Sequence, residues 1–347
     1  MPEPRDPASA YREAGVDLDA ADRFKARLAE LVGATRHPEV LGGLGGFGGC
    51  FSLAGAQETD PVLVASADGV GTKILVAQAA GRHDTVGHDL VNHCVDDLLA
   101  QGARPLFFLD YIAAGRLDED VALALVEGFV RGCRENRIPL LGGETAEMPG
   151  VYENGGYDLA GFIVGVAPRG RLERLGAAVR RGDVVLGLPS SGLHTNGYTL
   201  ARRVVLGGGH ALSDRVPWGS GSWADELLAV HRSYLEPVLP LLDDPALHAC
   251  AHVTGGGFEG NLPRPLPDGL GVRLRRESWQ PPEVFDFLAS AGNISRSEMV
   301  RVFNLGIGFC LFAEPGDATR IAAGCADRGA PATAIGEVIE GEGVTWE

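Results

Sequence analysis

Lysine is nearly missing from this sequence: only Lys25 and Lys73 occur, so 28 of the 30 basic residues are arginine. Long apolar runs are missing too. No stretch approaches the roughly 20 residues needed to cross a bilayer, which excludes a helical membrane protein. The opening residues MPEPRDPASAYREAG hold no apolar segment, so no secretory signal is expected. Cysteine pairs are absent: Cys50, Cys94, Cys133, Cys250, Cys310 and Cys325 are scattered without a C-x-x-C spacing. That excludes a zinc ribbon and points to reduced, mostly buried thiols and a cytoplasmic address. Positive charge is in deficit, 30 Lys+Arg against 46 Asp+Glu, for a net −16 without an acidic tail. Neither a nucleic-acid-binding face nor an anionic-membrane surface fits that balance. A small anionic substrate still does, wherever metal or backbone N–H groups concentrate positive charge.

What is abundant is glycine, 50 of 347 residues, about twice the usual ~7% share, and it comes in clusters. The length suits two domains of roughly 150–200 residues. Residues 17–34 place Leu18, Phe24, Leu28, Leu31 and Val32 at helical spacing, with Asp17 or Asp19 as N-cap. Strands are expected at 61–66, 105–112, 138–141 and 157–167, and helices at 89–101 and 118–136. A charged stretch near 168–181 marks a boundary. Beyond it come strands at 183–188, 247–253, 302–313 and 333–339, and helices near 196–206, 223–242, 282–302 and 317–328. The fold class is α/β (α+β) in two domains, 1–170 and 171–347.

Gly43–Gly48 matches G-x-G-x-x-G, but no strand leads in and no helix follows, so a dinucleotide fold is rejected. What remains is a backbone-rich loop over phosphates or a plain surface loop. Asp68-Gly69-Val70-Gly71-Thr72-Lys73 follows a strand and offers a carboxylate, two glycines, a hydroxyl and an ammonium, the mixture that metal-bound phosphate needs. The alternative is a strand-to-helix turn with Lys73 solvated. On the helix that follows, Asp89, His93 and Asp97 share a face beside Asp96; Asp89 and Asp96 fit a solvated acidic stripe equally well. Glu144 ends an apolar run, where strand ends meet ligands. Asp68, Asp97 and Glu144 form a plausible Mg²⁺ set.

In the second half Ser190-Ser191-Gly192-Leu193-His194-Thr195-Asn196-Gly197 joins a strand to a helix, an anion-binding arrangement. His194 suits proton exchange near neutral pH, or is a turn histidine bonded to backbone. No G-x-S-x-G elbow is present, against a serine hydrolase. His252-Val253-Thr254-Gly255-Gly256-Gly257 repeats the design. Asn304-x-Gly306-x-Gly308 marks close packing or a ligand, evenly.

These segments, with RHPEVLGGLGGFGG, PLFFLDYIA, LLGGETAEMPGVY, PSSGLHTNGYTL and HVTGGGFEGNLPR, run in one order from Tyr11 to the last strand. The chain resembles the phosphoribosylformylglycinamidine cyclo-ligase family of purine biosynthesis. That resemblance implies ATP-dependent closure of an imidazole ring on formylglycinamidine ribonucleotide, with ATP and Mg²⁺ as cofactors, and a homodimer whose N-terminal strands pair between subunits. It implies Mg²⁺–ATP near Asp68, Asp97 and Glu144, with Lys73 on phosphate. Nucleotide contacts fall on Gly45, Gly46, Phe47, Gly48, Asp68, Gly69, Gly71, Thr72 and Lys73. Substrate contacts fall on Ser190, Ser191, His194, Asn196, Thr254, Gly255, Gly256 and Gly257, and catalysis on Lys73 and His194. Departures from the family are Ala29 for a frequent lysine, His37 for a frequent arginine, and Asp96 where Asn commonly precedes the aspartate.

Overall fold

The computed structural model describes residues 27–41, 48–56, 58–116, 118–153 and 155–347. Residues 27–33 are helical, and the earlier part of the expected first helix lies outside the described residues. Strands β1 (Val40–Leu41) and β2 (Cys50–Phe51) pair antiparallel.

The first half is built on a four-stranded sheet, β3 (Pro61–Asp68), β4 (Arg104–Ala114), β5 (Leu140–Glu147) and β6 (Tyr157–Pro168), in the order β3-β6-β4-β5. Only the β4–β5 pair is parallel. Helices α1 (Lys73–Ala80), α2 (Val86–Ala100) and α3 (Glu119–Glu135) belong to this half. Asp118 caps α3, its carboxylate accepting from the Asp120 and Val121 N–H groups. Alternation along β6 buries Leu159, Ile163 and Ala167 toward α2 and turns Asp158 and Phe162 outward. On that outward face Leu63 is 58% exposed and Phe162 45%. Among the described residues the sheet is therefore covered by helices on one side only.

The second half carries a six-stranded sheet in the order β12-β9-β11-β7-β10-β8: β7 (Val184–Pro189), β8 (Leu247–His252), β9 (Leu270–Leu274), β10 (Ile307–Ala313), β11 (Thr333–Glu340) and β12 (Val344–Trp346). β10 is buried at every residue. β9 and β12 were not anticipated from the sequence. Neither has the long apolar run of β10, and they form the outer edge of the sheet.

The helix expected over 223–242 is broken. Trp223–Leu227 and Leu235–Val238 are helical, whereas 229–234 is irregular. The reason is local: side chains from the first half take up its backbone polar groups. Lys73 donates to Ala229 O, Asp89 accepts from His231 N, Asn92 donates to His231 O and Asp96 accepts from Tyr234 N. Pro237 adds a missing donor.

Asp110 sits on the covered face of β4, and its carboxyl lies so close to Gly143 that a Cβ there would stand 2.0 Å from Oδ1. Burial, with a smaller push from Glu144, raises it to about 7. Its folded-state pKa exceeds the ordinary 3.8, so stability is highest below pH 3.8 and falls as pH rises to 7, by at most about 4 kcal/mol. Asp110→Asn is expected to be more stable than the parent, by a margin that grows from pH 4 to 7 and is flat above. Thermal melts across that range check it; a pH-independent margin refutes it.

Candidate active site

The two halves meet along the polar side of α2. Asp68 ends β3, and its Oδ1 accepts from Gly69 N at 2.7 Å while Oδ2 lies 2.7 Å from His93 Nε2. Asp97 Oδ2 accepts from Ser66 Oγ at 3.1 Å, and its Oδ1 is 2.9 Å from His252 Nδ1. Donor atoms of Asp68, His93 and Asp97 all lie within 4.8 Å of one another. Burial works to raise both carboxyls, but the bonded imidazoles outweigh it and hold both below the usual range. His93 is the counterpart: burial lowers it, and Asp68 and Asp97 more than reverse that. Two ionised carboxylates are thus held together at a partly open seam, with side chains 41% and 29% exposed. This is the hard-oxygen donor set that Mg²⁺ takes together with phosphate oxygens and water.

Glu144 does not join them. Across the sheet Asp68 registers with Gly161, Asp110 and Gly143, all on the helix-covered face. Glu144 is one residue on, opposite Tyr111, and points to the other face. It also lies on the far edge strand, so the three-carboxylate set is not assembled within one chain.

Lys73 also departs from expectation. It is completely buried, not solvated, and its Nζ donates to Asp89 Oδ1 at 2.9 Å, His194 O at 3.0 Å and Ala229 O at 2.7 Å. All three N–H bonds are used, so no donor faces a phosphate. The residue clasps the second half to α1 instead. Asp89 and Asp96 are fully buried as well, not a solvated stripe.

His194 is buried with φ 60°, and its ring stacks on His231 at 3.9 Å. Nε2 accepts from Ser191 N at 3.2 Å, while Nδ1 has no hydrogen-bond partner. Burial, with His252, Lys73 and other positive neighbours, pushes it well below the usual range. These surroundings favour the neutral ring in the turn-histidine arrangement.

The glycine loops do converge. Thr72 Oγ1 lies 3.0 Å from Thr199 Oγ1 on the following helix and Thr195 Oγ1 is 2.8 Å from His93 Nδ1 on α2, which with the Lys73–His194 O bond seats the Asp68–Lys73 turn and α2 against the 190–199 segment. A Cβ on Gly255 would stand 3.3 Å from Asn196 Oδ1, so the 254–257 loop adjoins too. Ser190 is tied to Asn304, whose Nδ2 donates to Gly192 O at 2.9 Å. Ser191 Oγ donates to Val230 O. Gly257 is forced: its φ is 58°, and a Cβ would meet Val300 O at 2.1 Å. Gly69 and Gly71 (φ 54°) turn the Asp68 loop. Gly256 (φ 94°) precedes the short helix Gly257–Asn261. Gly48 is exposed with open space around it; Gly45, Gly46 and Phe47 lie outside the described residues.

A cavity of about 870 Å³ opens between the halves, lined by Ser66 and Asp97 on one side and by His252, Thr254, Asn261 and Arg264 on the other. Asn261 organises the triple-glycine loop, donating to Gly257 O at 2.7 Å. Sequence reasoning missed Asn261, Ser66 and His231. Asn261 had a signal, lying seven residues after Thr254 on the same predicted loop-to-helix unit; His231 carried none.

Two family models match, AIR synthase related protein N-terminal domain over residues 50–167 and C-terminal domain over 180–347. Thiamine-monophosphate kinase from Stenotrophomonas maltophilia superposes with TM-score 0.67 at 20% identity, over 94% of this chain and 95% of that one. E. coli HypE, a hydrogenase maturation protein, does so with TM-score 0.67 at 16%, over 94% and 93%. At such identities the likeness is one of fold. The phosphoribosylformylglycinamidine cyclo-ligase of Myxococcus xanthus is 48% identical over 336 residues, 96% of this chain and 97% of its own length. That of Geobacillus thermodenitrificans is 46% identical over 343 residues, 97% of each. With identity that high over nearly the whole length of both proteins, the chain belongs to the phosphoribosylformylglycinamidine cyclo-ligase family.

Proposed function

We propose that this chain uses ATP to close the imidazole ring of formylglycinamidine ribonucleotide, giving 5-aminoimidazole ribonucleotide, ADP and phosphate. The near-full-length identity to cyclo-ligases carries this reading, and the seam cavity with its paired carboxylates supports it. The formyl amide oxygen is a poor leaving group. Transfer of the γ-phosphoryl to it gives an iminophosphate; the neighbouring amidine nitrogen then attacks that carbon and phosphate departs. Positioning and charge neutralisation are the protein's work. Asp68 and Asp97 would hold Mg²⁺, which supplies charge neutralisation to the phosphates. The 190–197 and 254–257 loops present backbone N–H groups to the anionic substrate, with Thr254 at the cavity wall and Asn196 beside Gly255. His93 and His252 hold the two carboxylates ionised. Lys73 and His194 position these loops and are not reacting groups.

The outward sheet face, with Leu63 and Phe162 exposed, supports a homodimer that covers it. Glu144 is on that same face and enters the site only through such an assembly. We divide the chain at 170/171, after β6 ends at Pro168, and assign it to the cytoplasm, where its six free cysteines stay reduced. The Leu63→Glu/Phe162→Glu variant is expected to be monomeric by light scattering; a dimer of unchanged mass refutes this interface.

The function is tested by phosphate release with Mg²⁺–ATP, with and without formylglycinamidine ribonucleotide. Phosphate matched one-to-one by aminoimidazole product is expected. Phosphoryl retained on the product means a kinase on the same scaffold, and ATP binding without turnover means a non-catalytic dimer; either outcome overturns the reading.

A further inference from the structure

Histidine is concentrated where the mechanism needs little of it. His93, His194, His231 and His252 pack ring against ring at the seam, with centroids 3.9 to 5.3 Å apart in the contacting pairs. The ring nitrogens of His93, His231 and His252 include one from each that all lie within 4.8 Å of one another, and all three residues are buried. His231 and His252 face each other Nε2 to Nε2 at 3.3 Å. Two imidazole nitrogens bound 2.0–2.1 Å from one tetrahedral ion stand about 3.3 Å apart. His252 is aimed by its other nitrogen, since Asp97 Oδ1 holds Nδ1 at 2.9 Å. That is the carboxylate–histidine pairing that orients metal-binding imidazoles.

A buried carboxylate adjoins His231. Asp96 Oδ2 is buried, accepts no hydrogen bond, and lies 3.3 Å from His231 Nε2. Its Oδ1 is committed to Tyr234 N at 2.8 Å, a bond that an Asn amide oxygen would make equally well. The second oxygen is what the aspartate adds at this position, and it lies beside His231. A neutral N–H···N bond between His231 and His252 would account for their spacing but leaves this carboxylate oxygen without a partner.

We propose that His93, His231 and His252 form a binding site for a transition-metal dication of the Zn²⁺ class, with the Asp96 carboxylate beside His231 as its neighbouring negative charge, separate from the Asp68–Asp97 pair that suits Mg²⁺. Imidazole donors select Zn²⁺, Co²⁺ or Ni²⁺ over Mg²⁺. His93 bonds Thr195 through Nδ1 and Asp68 through Nε2, so it exchanges one of those contacts for the metal, and any imidazolium proton is released on binding. Three protein ligands leave the ion's fourth position to water. Its effect is mechanical: His93 comes from α2 and the other two histidines from the second half, so the ion staples the halves across the cleft.

The test uses the full chain, stripped with a chelator and titrated with Co²⁺ in the presence of millimolar Mg²⁺. One Co²⁺ per chain with tetrahedral visible bands is expected, displaced by Zn²⁺ and not by Mg²⁺, and Zn²⁺ raises the melting temperature. Asp96→Asn keeps the Tyr234 bond and hence the fold, and is expected to weaken Zn²⁺ binding at least 10-fold; His231→Asn weakens it at least 100-fold. Uptake of less than one Co²⁺ per chain by the parent protein overturns the proposal. So does binding that survives both variants but is lost in Asp68→Asn, which puts the ion on the Asp68–His93–Asp97 group. Turnover enters none of these readouts, so failure here leaves the ligase reading intact.

Discussion

Lys73→Met is expected to destabilise the chain by about 3–5 kcal/mol, the range for removing one member of a buried ion pair. The loss comes from what is left behind. Asp89 is fully buried, and without the ammonium its carboxylate keeps only the His231 N–H. His194 O and Ala229 O lose their donor as well. Burial pushes Lys73 down and Asp89 up, each partly offset by the other, so neither tolerates being charged alone. Urea midpoints read the loss. Adding Asp89→Leu removes the stranded charge and is expected to recover a large share of the stability. The double variant also separates two roles for the lysine. A clasp predicts that ATP turnover recovers along with the fold, because positioning is what was lost. If the double variant is stable yet turns over ATP as poorly as Lys73→Met, Lys73 acts on phosphate and the clasp assignment is wrong.

The scarcity of lysine drew attention to Lys73 but could not say which way its side chain runs. Position after a Gly-rich turn is equally compatible with a phosphate and with a buried partner; the choice is made by Asp89, 16 residues away and on another helix. The same helix shows how much was legible. Its apolar residues predicted a packed face, and that is where the sheet lies. For Asp89 and Asp96 a solvated stripe fits the sequence equally well, because a single sequence shows one partner for a helix, not two. Val86–Ala100 is clamped between the first sheet and the 229–234 segment, and both of its faces are buried. A sign was present in the absence of any arginine between Val86 and Ala100, in a chain whose solvated helices carry several. Glu144 was misplaced for a simpler reason: strand register decides the face, and a one-residue shift reverses it. The loops at 190–197 and 254–257 were legible because their glycines are dictated locally, by positive φ and by backbone contacts too close for a Cβ.

Asp68→Asn is expected to lower ATP turnover by about 10²–10³-fold, the cost of removing one preorganised charge partner from a phosphoryl-transfer site. The substitution keeps the shape and the acceptor for Gly69 N–H, so the melting temperature should stay within a few degrees of the parent. What disappears is the negative charge beside Asp97 and the partner of His93 Nε2. Both losses act in the same direction. A metal held by two carboxylates is left with one, and His93, deprived of the group that raises it most, becomes neutral at lower pH and lends Asp97 less support than before, leaving that task to His252. Apparent affinity for Mg²⁺ in the ATP reaction should fall with kcat, and raising Mg²⁺ should recover part of the rate. Asp97→Asn is expected to behave alike in turnover while also freeing His252 Nδ1. Steady-state kinetics over a Mg²⁺ series checks both. Parent-like kinetics in Asp68→Asn would remove Asp68 from the metal pair, and a rate loss that no Mg²⁺ concentration relieves would assign the carboxylate to substrate positioning instead.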